Sequence, residues 1–234
     1  MTNQQDDKLI LGSSDRVELV ATIIMALAAI FTAWAAFQSA KWSGEQATSF
    51  SRAGATRTES TRFDTRAGQQ TGVDVAIFIS WLDALNTDAR EGLIEIGTGE
   101  VYQPTDGTLS GFLFERVREE FRPAFDAWLV LFAEDSEAAP ATPFAMDEYV
   151  LANTLEAQRL EVEADQFATE AGIANETSDQ YVLTVVAFAL VLFFGGVSSK
   201  LNSKRNGNLA LGVATVLFVG ATLVIFSLPK ILPF

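Results

Sequence analysis

The chain has 234 residues, 49% of them hydrophobic, with a net charge of −14, no cysteine and no histidine. Without cysteine there can be no disulfide, thiol redox chemistry or thiolate metal site; without histidine the commonest catalytic base and transition-metal ligand is missing. A chain that is both this apolar and this acidic must segregate the two kinds of residue along its length, and it does.

Residues 1–15 read as a short tail, and Asp15-Arg-Val-Glu18 has the spacing of a capping box, which predicts a helix start near Arg16. The apolar run over 19–37 contains no charge and is close to the ~20 residues that cross a hydrocarbon core. Its length, and the mixed charges before it, favour an uncleaved anchor over a cleaved signal. The first transmembrane helix is therefore set at residues 16–40. Read every three and four residues, it gives Thr22, Ala26, Ala29, Ala33, Ala36, Ala40, Ser43, Ala47, Phe50 and Gly54. Small residues permit close backbone approach, which drives helix association in lipid, so this stripe is the expected packing face. A rival stripe is Ala28-Thr32-Ala36-Ala40. Trp34, Lys41 and Trp42 mark the expected outer membrane boundary, and Gln46 just beyond them is a candidate for an interhelical hydrogen bond.

Residues 41–179 hold 26 Asp and Glu against 10 Lys and Arg, a balance that disfavours nucleic acid as a partner. Arg52, Arg57, Arg62 and Arg66 spiral around the helix as a solvated surface with ion pairs. Gly68 and Gly72 suggest a turn, and the 3.6-residue pattern of Val73, Ile77, Phe78, Trp81, Leu82 and Leu85 predicts a second helix beyond it. Asn86-Thr-Asp is expected to break that helix, with a short helix following to Ile96. Residues 97–107 read as a loop. A third helix is predicted from Ser110, interrupted at Pro123, then an aromatic-rich helix over 123–132 and an irregular linker over 134–143. The last exterior helix is expected from about Met146, with the seam Ala157, Leu160, Ala164, Phe167, Ala171, Ala174, Ser178, Tyr181, Val185 and Phe188. Gly172 is expected to weaken it without ending it.

A second uncharged run follows at 181–199, and the second transmembrane helix is set at residues 180–199, with Tyr181 and Lys200 at its boundaries. The loop over 200–208 carries Lys200, Lys204 and Arg205 and no acid, which predicts a cytoplasmic location by the positive-inside rule. A third span over 209–228 and a tail over 229–234 complete the chain. The predicted fold class is an all-α membrane protein: three transmembrane helices with an extracytoplasmic helical-bundle domain over 41–179 inserted between spans one and two.

No residue pattern points to an active site, a cofactor or a metal. Carboxylates at helical spacing occur as Glu91/Glu95, Glu115/Glu119 and Glu161/Asp165, and on an acidic helix these read as a solvated face. The uncharged runs over 19–37, 181–199 and 209–228 contain no Asp, Glu, Lys or Arg, which argues against a proton relay or ion-coupled transport. Four stretches, Lys41-Trp-Ser-Gly-Glu-Gln-Ala47, Arg122-Pro-Ala-Phe-Asp-Ala-Trp128, Pro143-Phe-Ala-Met-Asp-Glu-Tyr149 and Ser178-Asp-Gln-Tyr-Val-Leu183, carry a resemblance to a group of bacterial inner-membrane proteins of uncharacterised activity. The resemblance implies a bacterial inner membrane and a three-span layout, and singles out Trp42, Gly44, Gln46 and Tyr181. The expected function is that of a non-enzymatic assembly or accessory protein, self-associating into a homo-oligomer or docking on a membrane protein partner in contact with membrane lipid. An extracytoplasmic sensory module and a homo-oligomeric pore are the alternatives.

Overall fold

The computed structural model describes residues 13–95, 99–201 and 203–232, the side chains of residues 13–16 excepted. Among the described residues five α-helices carry the fold: α1 (Ser13–Arg90), α2 (Leu109–Phe114), α3 (Arg122–Glu134), α4 (Ala152–Ser198) and α5 (Lys204–Ser227), with one 3₁₀ turn at Pro143–Ala145. No strand occurs among the described residues. Three of the helices, α1, α4 and α5, contain stretches long and apolar enough to cross a membrane, which makes this a helical membrane protein. The chain forms two compact units, one of Met1–Arg52 with Gln166–Phe234 and one of Ala53–Asp165.

Helix α1 is a single 78-residue element. It begins at Ser13, so Asp15 lies within the helix and not at its start. It also passes through Gly68 and Gly72, where a turn was expected. Two glycines cost roughly 1 kcal/mol each in a helix interior; the neighbouring buried positions Ala67, Asp74, Phe78 and Trp81 supply packing that offsets this. No proline precedes Pro104, so nothing sterically forces a break. The helix runs through Asn86 and Asp88 and stops at Gly92. There Gly92 adopts φ +72°, its N–H bonds to Ala89 O at 3.2 Å, and the Leu93 N–H reaches Asp88 O at 2.9 Å. This is a Schellman stop, for which a glycine is the favoured residue. Glu91 and Glu95 therefore lie beyond the helix rather than one above the other on it.

In the unit containing the membrane stretches, α1 is buried along Ala21, Ala28, Ala35 and Ser49, with Gln38 beside them. The spacing is seven residues, the period of helices that wrap around each other left-handedly. Helix α5 repeats it with Gly207, Ala214 and Ala221, carried on to Leu228 just past its end, and α4 with Thr177, Thr184, Val191 and Ser198. Phe31 fills the space between, its ring 5.6 Å from Phe188, 5.9 Å from Phe218 and 6.2 Å from Phe226.

The second unit is built on an aromatic core of Phe78, Trp81, Phe114, Phe121, Phe125 and Trp128, with Phe144 and Tyr149 packed against it. Trp81 and Phe125 meet edge to face at 4.8 Å, and Phe121 stacks on Phe144 at 4.9 Å; such pairs add about 0.5–1.5 kcal/mol beyond area burial. Helix α2 is shorter than expected, ending at Phe114 well before Pro123. Pro123 instead sits in the first turn of α3, where its missing N–H costs nothing. Glu115 and Glu119 thus follow α2 in turns and do not share a helix face. Helix α4 starts at Ala152, later than the expected Met146; in the stretch before it Met146 and Tyr149 pack on the aromatic core and Tyr149 joins the polar network described below. It continues through Gly172 without interruption.

Candidate functional site

Two constellations of polar side chains stand out, one in each unit. In the membrane-containing unit, Gln38 is the one amide in an uncharged run of α1, and it is wholly buried. Its Nε2 donates to Ile231 O at 3.1 Å, and its Oε1 accepts the Ile231 N–H at 3.0 Å. One turn on, the Trp42 Nε1–H donates to Pro229 O at 3.2 Å, and the buried Tyr181 hydroxyl donates to the same carbonyl at 3.0 Å. The extended segment after α5 is therefore held through its backbone by α1 and α4 side chains. An unpaired backbone group next to lipid is expensive, so these side chains satisfy groups that the extended segment beyond α5 leaves open. Beside this clamp, Ser178 meets Ser39 at 3.1 Å and Ser43 at 2.9 Å through their hydroxyls, and Ser178 also donates to Ser39 O at 3.1 Å.

In the other unit, Asp74 is fully buried and Arg118 grips it in a fork, Nε to Oδ1 at 2.8 Å and Nη2 to Oδ2 at 3.0 Å. Arg118 Nη1 also reaches Glu120 Oε2 at 2.8 Å, and the Tyr149 hydroxyl donates to Asp74 Oδ2 at 3.0 Å. Glu120 accepts Gln70 Nε2 at 3.2 Å and the Ala152 N–H at 3.3 Å, while Asn153 Nδ2 donates to Gln70 Oε1 at 2.9 Å. The network ties α1, the α2–α3 connection and the start of α4 together. Burial pushes the Tyr149 hydroxyl above its ordinary pKa, the Thr71 hydroxyl opposes this, and Asp74 reinforces it. Hydrogen bonding to Asp74, with a further contribution from Glu120, raises the Arg118 pKa against the opposing effect of burial, so the guanidinium stays charged. The acceptors of Asp74 are taken up by Arg118 and Tyr149, so the arrangement works as a clamp.

A second buried carboxylate, Asp88, accepts the Ser110 N–H at 2.8 Å and so caps the start of α2. The Tyr102 hydroxyl donates to Ser110 Oγ at 3.0 Å. The backbone and side chain of Ser110 pull the Asp88 pKa below its ordinary value, burial opposes them, and the Leu109 N–H lowers it further. At the same turn a side chain on Gly111 would collide with the Thr105 carbonyl oxygen, so the loop can close only over glycine.

The structure divides the sequence-predicted positions into two groups. Ala157, Ala164 and Ala171 are buried on α4, in line with Leu160, Ala174, Tyr181 and Phe188. Ala26, Ala29, Ala33, Ala36, Ala40 and Ala47 are exposed, because α1 packs within the chain through the Ala21, Ala28 and Ala35 positions. At 100° per residue the Ala21, Ala28 and Ala35 face and the exposed alanine face are centred about 120° apart. The rival stripe is split: Ala28 is buried, Thr32 half-buried, and Ala36 and Ala40 exposed.

Trp34 is half-buried near Phe37 at 5.9 Å, and the exposed Lys41 lies over the Phe37 ring at 5.7 Å. Gln46 is half-buried, and the long-range amide contact is made two turns earlier by Gln38, to the extended segment after α5. Lys200 is exposed, its N–H closing the end of α4 on Val197 O at 3.0 Å. Of the acidic pairs, Glu161 and Asp165 are exposed on α4, and Asp165 meets Arg57 at 2.7 Å.

No family model, curated protein or solved structure matches the chain. Its functional reading therefore rests on its own geometry. Sequence reasoning missed Asp74, Arg118, Glu120 and Tyr149 as a unit, because they meet across up to 75 residues. A local signal did exist for the α1 face: the seven-residue recurrence Ala21, Ala28, Ala35 runs one residue out of phase with the alanine stripe chosen from composition.

Proposed function

We propose that the chain is a non-enzymatic membrane assembly protein, whose α1 docks on a second copy or on a partner membrane helix. The observation that carries this reading is the uncovered small-residue face of α1, at Ala26, Ala29, Ala33, Ala36, Ala40 and Ala47, distinct from the face used for packing within the chain. Small residues turned to lipid gain nothing there, whereas they allow a neighbouring helix to approach closely. In this reading the membrane is a bacterial inner membrane and the loop with Lys200, Lys204 and Arg205 is cytoplasmic. Residues 41–179 then lie outside.

Native mass spectrometry of protein extracted gently from its own membrane tests the proposal. A closed homo-oligomer or a defined complex is expected, and a monomer would overturn it. For topology, a cysteine replacing Ser136 should react with an impermeant thiol reagent in intact cells, while one replacing Ser203 should not. The reverse pattern would invert the orientation.

A further inference from the structure

At the ends of α1, α4 and α5 away from the Gln38 clamp lies a cavity of about 300 Å³. This is at the lower end of the ~300–1,000 Å³ typical of small-molecule sites. Its position is set by three termini: it lies where the uncharged runs of 19–37 and 209–228 begin and that of 181–199 ends. It is thus at the boundary between hydrocarbon and headgroups. Ala21 and Leu201 supply apolar lining there.

The polar lining is sorted by hydrogen-bonding character. Glu18 comes from α1, and Ser198 and Ser199 from the end of α4. The Ser198 hydroxyl donates to Gly195 O at 2.7 Å and that of Ser199 to Gly196 O at 2.8 Å. With their protons committed, both hydroxyls offer the cavity only lone pairs, as does the Glu18 carboxylate. Lys204 and Asn208, both from α5, offer donors. Glu18 and Lys204 line the same cavity, yet neither forms an ion pair among the described residues.

We propose that this cavity binds the headgroup of an aminophospholipid, a phosphate diester carrying a primary ammonium. The ammonium has three N–H donors for the Glu18 carboxylate and the Ser198 and Ser199 oxygens; the phosphate accepts from Lys204 and Asn208. A choline headgroup has no N–H to give these acceptors, and a glycerol headgroup leaves Glu18 without a cation. Recognition therefore separates lipids of identical acyl chains by headgroup.

The test is competition among phosphatidylethanolamine, phosphatidylcholine and phosphatidylglycerol of the same acyl chains, bound to the full chain in detergent and counted by native mass spectrometry. Phosphatidylethanolamine should exceed phosphatidylcholine by about tenfold or more, the scale of a charged hydrogen bond. Glu18→Gln should abolish the preference and Glu18→Asp should retain part of it, with circular dichroism showing that both remain helical. Lys204→Gln should weaken phosphatidylethanolamine and phosphatidylcholine alike. Excess soluble glycerophosphoethanolamine should displace bound phosphatidylethanolamine; an adduct it leaves untouched would locate recognition in the acyl chains and overturn the proposal. Equal binding of ethanolamine and choline lipids, a Glu18→Gln variant that still discriminates, or strongest binding of phosphatidylglycerol would each overturn it too.

Discussion

Gln38 and Ile231, 193 residues apart in sequence, exchange two hydrogen bonds, at 3.1 and 3.0 Å, so that one side-chain amide satisfies both backbone groups of a single residue. The carboxamide is the side chain suited to this, because it carries a donor and an acceptor side by side. Among the uncharged residues of the first apolar run and its exit, this is where α1 anchors the segment after α5.

Replacing Gln38 with Leu should free that segment. The Ile231 N–H and carbonyl lose their partners, a cost of about 1–3 kcal/mol for buried groups. Hydrogen exchange at the Ile231 amide should accelerate sharply, while amides in the middle of α5 stay protected. Gln38→Glu should behave in between, since a carboxylate accepts the Ile231 N–H but cannot donate to its carbonyl.

The pair Arg118 and Asp74 should be the most sensitive polar contact in its unit. Arg118→Ala leaves a fully buried carboxylate without its cation, a loss of about 3–5 kcal/mol. Arg118→Lys should recover part of this, because lysine restores the charge but not the two-pronged geometry. Denaturant unfolding followed by tryptophan fluorescence reads both, and a wild-type midpoint for Arg118→Ala would show the network to be dispensable.

Acid should weaken the cap at Asp88 before it affects the aromatic core. The folded pKa of this carboxyl is depressed, chiefly by the Ser110 amide and hydroxyl, so its contribution is present above the unfolded value of about 3.9 and is lost as pH falls through the folded one. Stability measured downward from pH 5 should therefore decline. Asp88→Asn should start less stable at neutral pH and show a shallower decline over that window; an identical pH profile would remove Asp88 as its cause.

Adjacent alanines of α1 should respond in opposite ways to the same substitution. Ala35 is fully buried, and Ala35→Leu overpacks it, which typically costs about 1–3 kcal/mol. Ala36 is exposed, so Ala36→Leu should leave thermal unfolding of the solubilised chain unchanged and disrupt association with a second helix. Ile30→Leu, also exposed, serves as the control for both measurements. Association unaltered by Ala36→Leu would exclude the exposed face as an interface.

What the sequence by itself determined was set by local chemistry. Three uncharged runs of about 20 residues have few stable homes outside a membrane, and their apolar content alone makes three membrane-crossing helices legible. The α4 positions Ala157, Ala164 and Ala171 were legible too, because their small size recurs at the helical period within a single element. Tertiary structure decided what depends on phase and on distant partners. The alanine stripe from Ala26 to Ala47 and the buried series from Ala21 to Ser49 occupy the same helix in different phases, and only the packing of α4 and α5 shows which of them lies inside. Gly68 and Gly72 stayed helical because the energy of the packed aromatic core exceeds their propensity cost, an energy that no window around them contains. The Asp74, Arg118 and Tyr149 network joins residues whose neighbours in sequence give no hint of one another, since a buried carboxylate is tolerable only where the fold brings it a cation and a hydroxyl.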